Sequence, residues 1–240
     1  MTSDLTAERE ALRSVPAQEV LRWVERRFGA TAAIACSFGP EDIVLLDLAR
    51  RHAPSVRVFT LDTGRLHPET YELIEVLRHR LGLEIETYFP DRDQVEQLVT
   101  RAGHFSFRHS LEARRECCAI RKVEPLRRAL AGRNAWVTGM RRDQSSTRSA
   151  VEILEQDDAH GGIAKVNPLA NWSVYEVWAY LRENGLPWNE LHDRGYPSIG
   201  CAPCTRAVRH HEDERSGRWW WESAEHRECG LHVRAGGTSR

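Results

Sequence analysis

Four cysteines in two pairs have a spacing that suggests one metal site built from two distant segments. The pairs are Cys117-Cys118 and Cys201-Ala-Pro-Cys204. Tetrahedral zinc holds its sulfur ligands roughly 3.8 Å apart, so an adjacent pair, whose side chains diverge, would have to distort to share one ion. A cubane cluster offers each thiolate its own iron. We therefore predict a [4Fe–4S] cluster bound by Cys117, Cys118, Cys201 and Cys204. Zinc is the alternative, as is a packed pair beside an unrelated redox dithiol.

The other two cysteines, Cys36 and Cys229, lie in different settings. Cys36 is inside an apolar segment, which indicates core packing. Cys229 lies in Glu228-Cys-Gly-Leu-His232, where the histidine could stabilise a thiolate or a nearby anion. Because Arg215 and Arg218 precede it, this pattern favours a thiol nucleophile for an anionic substrate. A cysteine near a chain end is, taken alone, more often incidental.

Length and composition are those of an ordinary globular protein. The chain has 240 residues, of which 41% are hydrophobic and 29% charged. Its net charge of -1 argues against non-specific binding to nucleic acid. The first residues lack a signal-peptide pattern, and no apolar run is long enough to span a bilayer. We therefore expect a cytoplasmic protein without membrane contact, whose thiols serve ligation or catalysis. A homo-oligomer is compatible with the sequence.

Strand and helix patterns alternate along the chain, which predicts an α/β fold with a mostly parallel sheet and helices on both faces. Residues 1–30 read as one amphipathic helix ending near Gly29, and Pro68 opens a later helix. The pattern predicts one domain over 1–205 and a mobile carboxyl-terminal arm over 206–240. Further helices are predicted at 41–51, 93–101, 111–131 and 172–181, and strands at 32–37, 56–61, 83–89, 135–139, 151–154 and 163–166.

Two loops follow predicted neighbouring strands, where open α/β sheets bind ligands. Ser37-Phe-Gly-Pro-Glu-Asp42 combines a small hydroxyl, a glycine and a helix start, which suit an anion. In Leu61-Asp-Thr-Gly-Arg65, the aspartate suits a ribose hydroxyl and the arginine an anion. Either loop alone is better explained as a plain turn, but two such loops at one sheet edge favour a nucleotide site.

The first loop resembles the pyrophosphate loop of the adenine-nucleotide α-hydrolase families, with Phe38 in place of one glycine. The resemblance implies a Rossmann-like fold. Because Phe38 replaces a glycine, it also implies that the loop binds a smaller anion than pyrophosphate, such as the sulfate of an adenylate. Both loops, both cysteine pairs and the Glu-Cys-Gly-Leu-His segment occur in the order seen in assimilatory sulfonucleotide reductases. With both cysteine pairs present, the chain resembles the thioredoxin-dependent adenylyl-sulfate reductases more than the cluster-free phosphoadenylyl-sulfate enzymes.

The resemblance implies a role for each matching residue. Cys229 would attack the substrate, with His232 beside it, and the paired cysteines would hold the [4Fe–4S] cluster. Trp219-Trp-Trp221 would pack in the arm or close over the site. The implied substrate-binding residues are Ser37, Phe38, Gly39, Leu61, Asp62, Thr63, Gly64, Arg65, Lys122, Arg148, Arg215 and Arg218.

The implied reaction is reduction of adenylyl sulfate to sulfite and AMP, in sulfate assimilation and cysteine biosynthesis. Reduced thioredoxin, or a glutaredoxin-like donor, would supply the electrons. A phosphoadenylyl-sulfate reductase is the nearest alternative. A second alternative is an ATP-dependent iron–sulfur tRNA thiolase, which should have a double-glycine loop and a more basic surface; this sequence shows neither. A third is an iron–sulfur sensor, which would leave the Cys229 segment unexplained.

Overall fold

The chain folds around a mostly parallel sheet, as predicted. The structure, a computed structural model, describes residues 5–145, 148–223 and 231. Within these residues the six strands are β1 Ala32–Ala35, β2 Arg57–Leu61, β3 Ile85–Tyr88, β4 Ala135–Val137, β5 Leu154–Asp157 and β6 Ile163–Val166. They are ordered β3-β2-β1-β4-β6-β5 in one sheet. β1 pairs in parallel with both β2 and β4, β4 pairs in parallel with β6, and the edge strand β5 is antiparallel to β6.

The helices agree with the predicted alternation except at the amino-terminal end. The predicted single helix over the first thirty residues is wrong, because the structure has two helices there, α1 Thr6–Leu12 and α2 Ala17–Arg27. Pro16 is the cap residue of α2, and proline disfavours helix in the residue before it. The α-helices are α1 Thr6–Leu12, α2 Ala17–Arg27, α3 Pro40–His52, α4 Pro68–Leu81, α5 Arg92–Ala102, α6 Leu111–Cys118, α7 Glu124–Leu130 and α8 Val174–Glu183.

Two larger differences from the predictions concern one helical stretch and one strand, whereas the other boundaries differ by at most two residues. The helical stretch predicted over 111–131 is α6 and α7 joined by the π-helical turn Ala119–Val123. The strand predicted at 151–154 instead begins at Leu154, which pairs with Val166. Tertiary pairing with β6 decides this register, because the local sequence allows both positions.

The chain divides into two compact units, each with its own apolar core. Unit one comprises 1–60, 70–86 and 132–189, and unit two comprises 61–69, 87–131 and 190–240. The core of unit one contains residues of the sheet, such as Ile34 and Val137, and of α3, such as Leu45. The core of unit two contains Leu98 and Phe107 together with cysteines and Trp219. The arm expected over 206–240 stays a prediction.

None of the described helices combines the length and apolar character that a membrane crossing requires.

Candidate functional site

The first cysteine pair lies at the carboxyl end of α6, immediately before the π-helical turn. Ser110 caps α6, its hydroxyl accepting a hydrogen bond from the Ala113 amide at 3.1 Å. Side chains four residues apart lie on the same face of a helix, so Cys117 and Arg121 share one face. Cys118 and Lys122 are also four residues apart and share a face. The local helix therefore presents a cation beside each thiol.

The second cysteine pair forms a tight turn that is bonded to two other segments of unit two. Ala202 to Cys204 make a single 3₁₀ turn, in which the Cys204 amide donates to the Cys201 carbonyl at 2.9 Å. The Ala202 amide donates to the carbonyl of Arg65 at 2.8 Å, and the Trp219 amide donates to the carbonyl of Cys204 at 3.1 Å. The turn is thus fixed between the loop after β2 and the tryptophan segment.

The two cysteine pairs line a single cavity within unit two. All four thiols are buried, with 7–8% of each residue exposed. The walls add cationic and aromatic side chains, so the cavity combines thiols with positive charge, an environment that suits an anionic group. The full lining is Arg65, Phe107, Arg114, Cys117, Cys118, Arg121, Lys122, Cys201, Cys204 and Trp219.

The predicted loop Leu61–Arg65 belongs to this same site. The Thr63 hydroxyl lies 3.3 Å from the Cys201 sulfur, and Arg121 donates from Nη1 to the Thr63 carbonyl at 2.7 Å. Asp62 is buried and accepts the Gly64 amide at 2.7 Å, which closes the turn. These bonds hold the loop against both cysteine segments.

The cations and the thiols shift one another's pKa values. Burial raises the pKa of Cys117, and burial together with the neighbouring Cys201 raises the pKa of Cys204 to about 12. Burial also acts to raise the pKa of Cys201, but the charge of Lys122 and the hydroxyl of Thr63 outweigh it, so that this pKa is lowered. A metal centre bound by these cysteines would therefore have to displace the protons that burial holds on Cys117 and Cys204.

The donor set fits an iron–sulfur cluster better than a single metal ion. Among the described residues, no three His, Cys, Asp or Glu side chains are arranged to hold one ion. The buried Nε of Arg121 and Nε1 of Trp219 have no hydrogen-bond partner in the described part of the chain, although both residues line the cavity. Cluster sulfur would satisfy such buried N–H donors, which are otherwise costly.

The first predicted loop lies in unit one, after β1. Phe38 is buried and has φ 62°, in the left-handed region that favours glycine. Asp42, on the first turn of α3, accepts hydrogen bonds from the Ser37 amide at 2.6 Å and from its hydroxyl at 2.8 Å. Gly39 caps α3 with an extended backbone. The buried carboxylate thus fixes the shape of this loop.

The loop after β4 supports Arg148, also in unit one. The side-chain oxygen of Gln144 accepts two hydrogen bonds, one from the Arg141 amide at 3.1 Å and one from Nη1 of Arg148 at 2.5 Å. The Arg141 guanidinium is itself paired with Glu41 at 2.7 Å, with only 2% of its side chain exposed. A buried ion pair therefore anchors the segment from which Arg148 extends.

The remaining predicted site residues are in unit two or outside the described residues. Arg218 is buried, donates to the Ile199 carbonyl at 3.2 Å, and lies 4.6 Å from the Trp219 ring. The backbone carbonyl of Arg215 accepts a hydrogen bond from the Arg218 amide. Cys229 and His232 lie outside the described residues, so their catalytic roles stay predictions.

Sequence reasoning missed several residues of the cavity. Arg114 and Arg121 are each four residues from a cysteine on the same helical stretch, a spacing that could have identified them. Glu222, which pairs with Arg114, carries no comparable local signal. Trp219 was expected only to pack or to cover the site, whereas it lines the cavity.

Comparisons with known proteins identify the family of this chain. Residues 31–207 match the phosphoadenosine phosphosulfate reductase domain. An adenosine 5'-phosphosulfate reductase of Allochromatium vinosum is 50% identical over 98% of this chain and 89% of that protein. One from Burkholderia cepacia is 49% identical over 97% and 90%, respectively.

Solved structures give the same result. A phosphoadenylyl-sulfate reductase from Candida auris, in a phosphate complex, superposes with a TM-score of 0.73 at 31% identity, over 85% of this chain and 96% of that one. FMN adenylyltransferase of Candida glabrata with ATP has a TM-score of 0.58 at 17% identity, over 95% of this chain and 77% of that one, and shares the fold alone. Because the domain match covers most of the chain and close relatives match almost all of it, the chain belongs to the phosphoadenosine phosphosulfate reductase family.

Proposed function

We propose that this chain reduces adenylyl sulfate to sulfite and AMP, with reduced thioredoxin or a glutaredoxin-like protein as electron donor. The relatives that are about half identical over nearly the whole chain carry the name adenosine 5'-phosphosulfate reductase. The observation that carries the proposal is the basic cavity lined by both cysteine pairs. The reaction belongs to sulfate assimilation and cysteine biosynthesis, and we assign it to the reducing cytoplasm, where thiols persist.

A [4Fe–4S] cluster is the proposed resident cofactor. Cys117, Cys118, Cys201 and Cys204 would hold it, and the buried N–H donors of the cavity would bond its sulfur atoms. Bound there, the cluster would supply a structural and electrostatic centre. The electrons for the reaction come from thiols, so the cluster need not change its oxidation state.

Cys229 is the proposed nucleophile. Its thiolate attacks the sulfur of the substrate, a sulfur–sulfur bond forms, the sulfur–oxygen bond to AMP breaks, and AMP leaves with the electron pair. The product is a cysteine S-sulfonate. A thioredoxin thiolate then attacks the Cys229 sulfur and releases sulfite, and the second thioredoxin thiol frees Cys229 as thioredoxin becomes a disulfide.

Positive side chains make this attack feasible, because a thiolate and a phosphosulfate repel each other. Lys122 and Arg65 line the cysteine cavity, and Arg218 adjoins it through Trp219. We assign these cations, with Arg148 and Arg215, to the phosphosulfate. The loops 37–39 and 61–65 are assigned to the nucleotide, and His232 to the Cys229 thiolate.

The experiment that tests the proposal is anaerobic purification followed by iron analysis and assays on two nucleotides. We expect brown protein with about four irons per chain and a higher kcat/KM for adenylyl sulfate than for phosphoadenylyl sulfate. Colourless protein with one zinc would refute the cofactor. Preference for the phosphorylated nucleotide would establish the alternative that the Candida auris relative supports, a phosphoadenylyl-sulfate reductase.

A further inference from the structure

A buried ion pair joins helix α6 to the segment that follows Trp219. Arg114 donates from Nε to Oε1 of Glu222 and from Nη2 to Oε2, both at 2.9 Å. Only 2% of the Arg114 side chain and 8% of the Glu222 side chain are exposed. Such a two-pronged bond fixes the plane and direction of the guanidinium, and lysine cannot reproduce it.

The same guanidinium touches the cysteine cavity. Arg114 lies four residues before Cys118 on α6 and hydrogen-bonds its side chain. Its guanidinium carbon lies 4.8 Å from the ring centre of Trp219. One side chain therefore contacts a proposed cluster ligand, an aromatic wall of the cavity and Glu222.

Charge distinguishes Arg114 from the other arginines around the cavity. Arg65 donates to the His104 carbonyl, and Arg121 donates to the Thr63 carbonyl; both acceptors are neutral. Their positive charge thus remains available to an anion. The charge of Arg114 is offset by Glu222, so attraction of the substrate does not explain its burial.

The position of Glu222 in the sequence gives the pair a second consequence. It is seven residues before Cys229, the proposed nucleophile. The pair therefore fixes a residue that is close in sequence to the proposed nucleophile.

We propose that Arg114 and Glu222 are positioning residues of the cysteine-ligated centre, which orient Cys118 in the cavity. Glu222 holds the Arg114 guanidinium on Cys118, and Arg114 in turn holds Glu222, which is near the proposed nucleophile in the sequence. This inference rests on the proposed function, because it takes Cys118 as a cluster ligand and Cys229 as the nucleophile.

The test compares Glu222→Gln and Arg114→Lys with a matched control. Glu222→Gln keeps the side-chain shape and removes its charge. The control, Glu86→Gln, removes one charge from a similar two-pronged pair in unit one, where Arg133 Nη2 contacts both Glu86 oxygens at 3.0 and 2.9 Å. Holoproteins are prepared anaerobically. Three quantities are measured: the rate of iron release to a chelator, the rate of S-sulfonate formation on Cys229 at saturating adenylyl sulfate, and the Kd for AMP.

We expect both site variants to release iron at least about threefold faster than wild type. They should form the S-sulfonate about tenfold more slowly, because the activation barrier of this step is higher. The Kd for AMP should stay within about twofold, since a positioning role changes the rate and not nucleotide affinity. The Mössbauer signal of the iron bound to Cys118 should shift in Glu222→Gln, an effect that a general loss of stability would not produce. Glu86→Gln should match wild type in all of these measurements.

The outcomes separate the inference from the function on which it rests. Wild-type protein without iron, or without an adduct on Cys229, contradicts the proposed function and the inference with it. Iron-loaded wild type that forms the adduct, while Glu222→Gln behaves like Glu86→Gln, overturns the inference alone. An increase in the Kd for AMP that accounts for the whole rate loss would also overturn it.

Discussion

The Thr63 hydroxyl lies 3.3 Å from the sulfur of Cys201, although the two residues are far apart in the sequence. Thr63 belongs to the loop after β2 that was expected to bind nucleotide, and Cys201 to the second cysteine pair. The predicted nucleotide loop and the predicted metal site are therefore one structure within unit two. A change at the cysteines should therefore alter the conformation of the loop.

Removing that hydroxyl should weaken the cysteine site. A hydrogen bond of this kind contributes about 0.5–1.5 kcal/mol. Thr63→Val, which keeps the side-chain shape, should therefore release iron several-fold faster to a chelator under anaerobic conditions. Thr63→Ser keeps the hydroxyl and serves as the control. Equal rates for the two variants would show that the contact is incidental.

Cys229 and Cys36 should differ completely in reactivity. Burial and the nearby Asp42 charge raise the pKa of Cys36 well above its ordinary value, which disfavours the nucleophilic thiolate at neutral pH. Wild-type protein given adenylyl sulfate without thioredoxin should gain one SO3 group, mapped by peptide mass to Cys229. Cys36→Ser should gain it equally.

Cys229→Ser should keep its colour and iron but make no sulfite, because serine is far less acidic and its product could not be resolved by thioredoxin. An adduct on Cys36, or sulfite from Cys229→Ser, would exclude the proposed mechanism.

Asp42 should titrate near neutral pH. Burial raises its pKa to about 6, although the hydrogen bonds from Ser37 act in the opposite direction. Because this folded-state pKa lies above the ordinary value of 3.8, the free energy of unfolding that Asp42 contributes falls as pH rises from about 4 to about 6, by up to about 3 kcal/mol. A carbon-13 NMR titration should give a midpoint near pH 6, with the signal identified by its loss in Asp42→Asn.

The same protonation should affect nucleotide binding. A neutral Asp42 holds the Ser37 amide and hydroxyl less strongly than the carboxylate does. Affinity for adenosine, which does not change charge in this range, should fall as pH drops from 7 to 5. Asp42→Asn should bind with little pH dependence. A wild-type affinity that is constant over this range would disprove the link.

Gly139 should be intolerant of a side chain. A Cβ at this position would lie 2.5 Å from Oδ1 of Asp42 and 2.9 Å from Cβ of Glu41, which is too close without movement. Gly139→Ala should therefore displace the start of α3 and weaken AMP binding by about tenfold or more, an overpacking cost of about 1–3 kcal/mol. Its iron content should match wild type, because the cysteines belong to unit two. Calorimetric titration with AMP and iron analysis of one preparation test both statements.

The sequence alone determined the features that depend on short-range patterns. Alternating apolar segments predicted the parallel sheet, and Pro68 marked the start of α4, because hydrophobic period and proline geometry act over a few residues. The spacing of the cysteines predicts the four candidate metal ligands without reference to the fold.

The tertiary structure decided which of these segments meet. Thr63 approaches Cys201 across 138 residues, and Arg114 reaches Glu222 across 108. No local period encodes such pairs, because they form only when separate elements pack and bury the same cavity. The π-helical turn after Cys118 and the register of β5 were likewise fixed by packing, since the local sequence permits other choices.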